Sequence, residues 1–319
     1  MPPGAVDVRL GRPARSGAGG TAALRLPVCF PGPVPHTLLG VVPVVPVVPE
    51  ETAVLVLLPP SEGKADGGRG RPFEPDALSL PGLAPARERV LDELVTLCSA
   101  DEEKAREVLG LSEGLRGEIA RNAALRSAPA RPAGEIYTGV LYDALGLATL
   151  SPAAKRRAAR SLLVFSGLWG AVGVKDRIPP YRCSGGVRLP GLGALSAHWR
   201  EPLAAALPEA AGTGPVLDLR STAYAQMWRP KGETAERTVT VRVLQSSVVD
   251  GVEKRTVVSH FNKATKGRIV RALLESGTAP ATPAALVDAV RGLGYVVEEP
   301  PEGRKPGRPR AVDVVVSEL

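Results

Sequence analysis

Within one short stretch the chain assembles a hydroxyl at Ser166, a carboxylate at Asp176, cations at Lys175, Arg177 and Arg182, and aromatic rings at Trp169 and Tyr181. The apolar run at residues 162–165 has the content of a buried strand and delivers the chain into Ser166-Gly167. There a small hydroxyl and a residue without Cβ allow a sharp exit and close approach of the backbone to a ligand. Trp169 supplies a flat apolar face, the cations attract an anion, and Pro179-Pro180 stiffens the approach to Tyr181. The chemistry that fits is capture of an anionic ligand, including one that carries a base. The same residues also fit a plainer assignment, with Trp169 and Tyr181 as core aromatics and the charges on a solvated loop.

Three further groups carry comparable chemistry. Lys64 follows Ser61-Glu62-Gly63 directly after an apolar strand pattern at residues 54–58, so a glycine turn there can present amides and a cation to an anion. Its spacing is not that of a Walker loop. Ser221 and Tyr224 follow a strand pattern at 215–219, where hydroxyls position a ligand or serve equally as a cap and a packed ring. Lys263, Lys266 and Arg268 head an amphipathic stretch that runs to Ser276 with Ile269, Val270, Leu273 and Leu274 inward. Cations at a helix start oppose its dipole unless an anion is near, which favours a phosphate there over a merely solvated first turn.

Taken together, these blocks resemble the signature of the YaaA peroxide-stress family. Ser166-Gly167-Leu168-Trp169-Gly170, Asp176 and Pro180-Tyr181-Arg182 match its central pattern. Leu57-Leu58-Pro59-Pro60-Ser61-Glu62-Gly63-Lys64, Tyr137-Thr138-Gly139, the block from Asp218 through Ser221 to Tyr224, and the block from Ser259 through Lys263 and Lys266 to Gly267 match four others in order and spacing. One short motif is weak, but five in register are strong. Two positions depart from the pattern: Asp218 stands where the family has Asn, and Ala223 where some relatives are acidic. A mechanism that needs that second carboxylate does not transfer.

The resemblance covers about Val54 to the C-terminus. It implies a cytoplasmic protein that binds DNA and protects against peroxide stress by limiting unincorporated iron and thereby Fenton damage. It also implies a basic cleft lined by Lys64, Tyr137, Ser166, Trp169, Asp176, Tyr181, Arg182, Ser221, Tyr224, Lys263 and Lys266. The alternative is an enzyme that acts on a nucleotide or nucleic-acid base in that cleft.

The elements that must position these groups are partly legible. Residues 86–99 place Val90, Leu91, Leu94, Val95 and Cys98 on one helical face, 101–109 form a second helix, and 112–125 form a third with Ser112 as its cap. Leu109-Gly110-Leu111 between the last two reads as the turn of a helix-hairpin-helix element over about 101–125, whose amides at Gly110 hold a DNA phosphate. On the residues alone an ordinary glycine-capped hairpin is the simpler reading. Ser151-Pro152 opens another helix, residues 238–244 and 255–259 flank an Asp250-Gly251 turn, Thr282-Pro283 starts a last helix, and strands near 295–298 and 311–316 follow. Strands and helices without a repeating βα period indicate an α+β or mixed α/β fold: a mixed β-sheet core with surrounding helices.

A chain of 319 residues, 44% apolar and 23% charged, suffices for one large or two modest domains. Residues 1–53 are rich in Gly and Pro, end in Val-Val-Pro repeats and lack periodicity. They are expected to be a disordered arm or a mis-assigned upstream extension, which leaves 54–319 as the YaaA-like domain. Three cysteines without a pairing pattern point to a reducing compartment. The apolar stretch at 38–49 is too short and too proline-broken to span a bilayer, so a cytoplasmic protein with no membrane partner is expected. No cofactor and no metal are expected, because Cys183, His198 and His260 stand apart from any carboxylate cluster at ligand spacing.

The net charge of +7, carried mostly by arginine, fits a polyanionic partner: duplex DNA, or a nucleotide-like small molecule. GC-rich coding raises arginine equally well without functional demand. Near the end, Arg304-Lys305-Pro306-Gly307-Arg308-Pro309-Arg310 resembles an AT-hook, which lays Arg308 in a narrow minor groove; a basic loop before the final strand is the plainer reading.

Overall fold

The computed structural model describes residues 54–68, 70–249, 252–257, 259–299 and 306–317. The expectation for residues 1–53, the Asp250-Gly251 turn and the Arg304-Lys305 part of the hook lie outside the described residues. Eight strands form the main sheet: β1 (Leu55–Leu58), β2 (Leu162–Ser166), β3 (Gly170–Gly173), β4 (Val216–Asp218), β5 (Thr238–Val249), β6 (Val252–Thr256), β7 (Val296–Glu298) and β8 (Arg310–Val316). Their order is β7-β8-β5-β4-β1-β2-β3, with β6 paired on β5. Neighbours from β8 through β5, β4 and β1 to β2 are parallel, while β3, β6 and β7 add in antiparallel fashion. The result is a mixed α/β sheet. β1 and β2 are buried at every residue, which explains their unbroken apolar runs: a strand with water on neither face has no reason to alternate.

The longer helices are α1 (Ala84–Ala100), α2 (Glu102–Leu109), α3 (Gly117–Ala123), α4 (Val140–Leu145), α5 (Pro152–Ser161), α6 (Arg200–Ala211), α7 (Ser259–Ser276) and α8 (Pro283–Gly292). Asp101, Ser151 and Thr282 each accept a first-turn amide and so start α2, α5 and α8 where capping chemistry places them. Gly110 ends α2 with a left-handed φ of 62°.

Three local expectations are corrected. Ser112 makes no side-chain cap and leads only into a 3-10 turn at Glu113–Leu115, and α3 begins later, because Gly114 and Gly117 weaken the first turns of the anticipated helix. β5 runs on to Val249, where its polar residues 245–247 pair with β6. α7 opens at Ser259, so Lys263 and Lys266 lie inside the helix and not at its mouth. α7 packs tightly on α4: a Cβ on Gly267 would stand 2.2 Å from Leu141 O, a distance that no side chain tolerates.

Candidate functional site

β4, β1 and β2 lie side by side in parallel, with Leu57 level with Asp218 on one side and Leu163 on the other. All three therefore end on one edge of the sheet, the edge at which loops of open α/β sheets gather around ligands. The segment after β1 carries Lys64, the one after β2 carries Trp169, and the one after β4 carries Ser221 and Tyr224.

A chain of hydroxyls lies at this edge. Ser166 Oγ is 2.6 Å from Tyr181 Oη, which is 2.9 Å from Tyr137 Oη, and all three side chains are buried. Ser166 Oγ also accepts from the amides of Leu168 and Trp169, which shapes the tight turn from β2 into β3. Lys64 forms an isolated bridge with Tyr137 and donates from Nζ to Ser61 O at 2.9 Å. Its ammonium sits 4.3 Å from the ring centre of Tyr181 and 5.6 Å from that of Tyr137. Desolvation lowers Lys64 to about 8, Glu62 opposing and Arg182 assisting. An amine in that range exchanges protons near neutral pH. The phenols move the other way, since burial raises Tyr137 and Tyr181 well above the ordinary value and keeps them protonated.

Around this chain, Arg182 reaches back to Glu62, 2.9 Å from its carboxylate and 3.1 Å from its carbonyl, and so clamps the Lys64 loop. Tyr224 accepts the Gly185 amide at 3.1 Å, and burial raises its phenol to about 12. Trp169 does not offer a face to solvent. It is 1% exposed, packs between Phe73 and Tyr181 at 5.0 and 6.1 Å, and leaves its indole N–H without a partner. Asp176 accepts from Ser79 N at 3.0 Å, Ser79 Oγ at 2.7 Å and Gly173 N at 2.9 Å. Burial pushes its carboxyl up, and these donors and Arg87 pull it back.

The remaining site residues differ in burial. Ser221 is exposed and precedes a short helix at Thr222–Ala225 without a side-chain cap. Lys266 is buried, donates to Leu219 O at 3.0 Å, and is lowered to about 8 by desolvation against the pull of Asp218. Lys263, Arg268 and Arg308 are exposed. Gly110 is exposed at the tip of its hairpin, and the cations there are taken up by carboxylates: Arg116 pairs with Glu102, Glu103 and Glu113, and Arg106 with Glu103.

Several residues that hold this edge escaped the sequence reading. Arg87 is buried in α1 and donates to the carbonyls of Trp169, Ala171 and Ser79, bracing Leu80 in a left-handed φ of 60°. Its signal was an arginine three, four and seven residues before Val90, Leu91 and Leu94 on the inward face of a helix. Asn122 grips the backbone of Arg182 from both sides, and Tyr142 donates to Pro59 O while stacking on Tyr137 at 5.4 Å. Neither carries a local signal. Arg220, bound bidentately by Asp218, lies 4.3 Å from the Phe165 ring centre and 5.3 Å from that of Trp228.

Cys98 and Cys183 are buried free thiols, raised by desolvation to about 11 and about 12. Among the described residues no group of three or more His, Cys, Asp or Glu side chains is placed to hold a metal ion, and no helix is long and apolar enough to cross a membrane.

Comparison with known proteins agrees with the motif blocks. Residues 54–300 match the family described as peroxide stress protein YaaA. A UPF0246 protein of Streptomyces coelicolor is 70% identical over 267 residues, 83% of this chain and 100% of the relative. UPF0246 proteins of Corynebacterium efficiens and Corynebacterium glutamicum are 44% and 41% identical, each across 79% of this chain and 97% and 98% of their own.

Proposed function

The chain belongs to the YaaA peroxide-stress protein family, and on that premise we propose that it binds duplex DNA and limits iron-driven damage during peroxide stress. The observation that supports this reading is how the cations are used. Arginines such as Arg116, Arg126 and Arg242 face carboxylates, whereas Lys263 and Arg268 on α7 are exposed and have no ion-pair partner among the described residues. A duplex is a lattice of phosphates, and its affinity for a protein comes largely from such unmatched charges through counterion release. The Gly110 hairpin, ringed by glutamates, contributes position more than charge.

The test is the salt dependence of duplex binding by the full chain. Each cation that neutralises a phosphate contributes about 0.9 to the log–log slope, so replacing Lys263 and Arg268 with Ala flattens it by up to about 1.8. Lys266→Ala leaves the slope unchanged, because that amine is engaged by Leu219 O. Arg308→Ala weakens binding to A·T-rich duplexes alone if the hook enters the minor groove. Binding that ignores salt overturns the reading, and cells carrying the double variant should lose peroxide resistance that an iron chelator restores.

A second reading has an observation of its own. A lysine near 8 over a buried Ser166–Tyr181–Tyr137 relay is an arrangement suited to acid–base chemistry on a nucleotide or base. Turnover lost in Tyr181→Phe and retained in the Lys263 and Arg268 variant marks that activity.

A further inference from the structure

We propose that a cleft between α6 and residues 226–234 binds a phosphorylated small molecule of about mononucleotide size. The cleft encloses about 470 Å³. That lies within the range of small-ligand sites, whereas a backbone phosphate of a duplex rests on an open surface and needs no such volume. Arg200, Arg229 and Lys231 line it, and no Asp or Glu does. All three cations are exposed, and none has an ion-pair partner among the described residues. Three like charges around one concavity repel one another unless an anion is bound between them, and two of them are guanidinium forks that fit phosphate oxygens bidentately.

The remaining wall is built to hold a ring or sugar. Pro208 of α6 and Trp228 give it apolar surface, and Thr234 adds a hydroxyl. Trp228 is 2% exposed, so it is a fixed floor and not a swinging lid. It is held from behind by Arg220, which Asp218 fixes with two hydrogen bonds. Thr234 is fixed through its carbonyl, which accepts from Thr238 Oγ1 at 2.6 Å. Rigid walls with exposed, unmatched cations at the rim are the construction of a preformed anion site. None of these lining residues belongs to the hydroxyl chain or to the family motif blocks beyond Tyr224, and none takes part in the duplex contacts proposed at Lys263 and Arg268.

Titration calorimetry of the full chain with pyrophosphate, ATP and adenosine as probes tests the proposal. Pyrophosphate and ATP should bind saturably at one site, and adenosine, which lacks the charge, should not. Replacing Arg229 and Lys231 together with Ala should weaken both phosphorylated probes by about tenfold or more, as expected for two lost charge-assisted contacts, while the thermal midpoint stays unchanged. Replacing Lys155 and Arg188, exposed cations elsewhere, removes the same charge and should leave affinity intact. Absence of saturable binding by the native chain overturns the proposal. So does an equal loss in the two double variants, which would mean general charge attraction. Loss of duplex affinity in the Arg229 and Lys231 variant, with pyrophosphate binding displaced by duplex, would instead make the cleft part of a DNA surface.

Discussion

At the carboxyl edge of the sheet Ser166, Tyr181 and Tyr137 direct their hydroxyls at one another, the Asp176 carboxylate accepts from backbone amides and the Arg87 guanidinium donates to backbone carbonyls; between α6 and residues 226–234, Arg200, Arg229 and Lys231 meet no carboxylate among the described residues. The first region holds most of the residues whose chemistry stands out in the sequence. Most of that chemistry is directed inward, to hold a tight turn and two flanking loops in register. The second region is inconspicuous in sequence and keeps its charges available. Residue types that suggest catalysis therefore mark two different things: a polar group satisfied internally fixes the backbone, and a polar group left unmatched at the rim of a concavity is what a ligand can use.

The largest expected effect separates the two regions by stability. Asp176→Ala leaves the buried amides of Ser79 and Gly173 without an acceptor, so urea denaturation should report a loss of about 3 kcal/mol. Arg229→Ala should stay within about 0.5 kcal/mol of the parent, as exposed and unpaired side chains do. Similar losses in both would break the comparison.

Next comes Tyr181→Phe, which removes the middle hydroxyl of the relay while keeping the ring under Lys64. The expected cost is about 1–2 kcal/mol, less than for Asp176 because the neighbouring hydroxyls can still pair elsewhere. A loss as large as that of Asp176→Ala would show that the relay, and not the carboxylate, is the keystone of this edge.

A smaller effect is the pH dependence set by Lys64. The unfolded chain keeps this proton up to the ordinary value of 10.5, while the folded chain releases it near 8. Between those values the unfolded state binds more protons at this lysine, so the contribution of Lys64 to stability rises with pH across that window. Lys64→Met should abolish part of the rise, and Lys266, lowered to a similar value, should account for a further part. A pH dependence between about 8 and 10 that is unchanged in Lys64→Met would show that Lys64 is solvated and unsuited to proton transfer.

The smallest effect concerns peroxide itself. Cys98 and Cys183 are raised to about 11 and about 12, so almost no thiolate exists at neutral pH, and the thiolate is the reactive form. Mass spectrometry after brief peroxide exposure of the folded chain should find both unmodified. Rapid sulfenic acid at Cys183 would turn the closed edge into a redox sensor and overturn its reading as scaffold.

Much of the architecture was readable residue by residue. Capping oxygens at Asp101, Ser151 and Thr282 and the fully apolar runs at 55–58 and 162–165 carry their own structural meaning, because a cap and a strand buried on both faces are local demands. The start of α7 was not readable: Ser259 and Lys263 suit a helix equally, and packing of Gly267 against Leu141 settles the matter from outside the segment.

For the site, the amino-acid sequence by itself determined the chemical inventory, the family and the strand ends at which the motif blocks stand. Which side chains face each other was decided only by tertiary structure. Parallel pairing of β4, β1 and β2 brings residues more than a hundred positions apart to one edge, and Arg87, marked in sequence only by its place on the inward face of α1, locks the turn there. The unmatched charge of Arg200, Arg229 and Lys231 is likewise a property of what surrounds them in space. Whether a cation is neutralised depends on distances of a few ångströms between segments that local sequence does not relate.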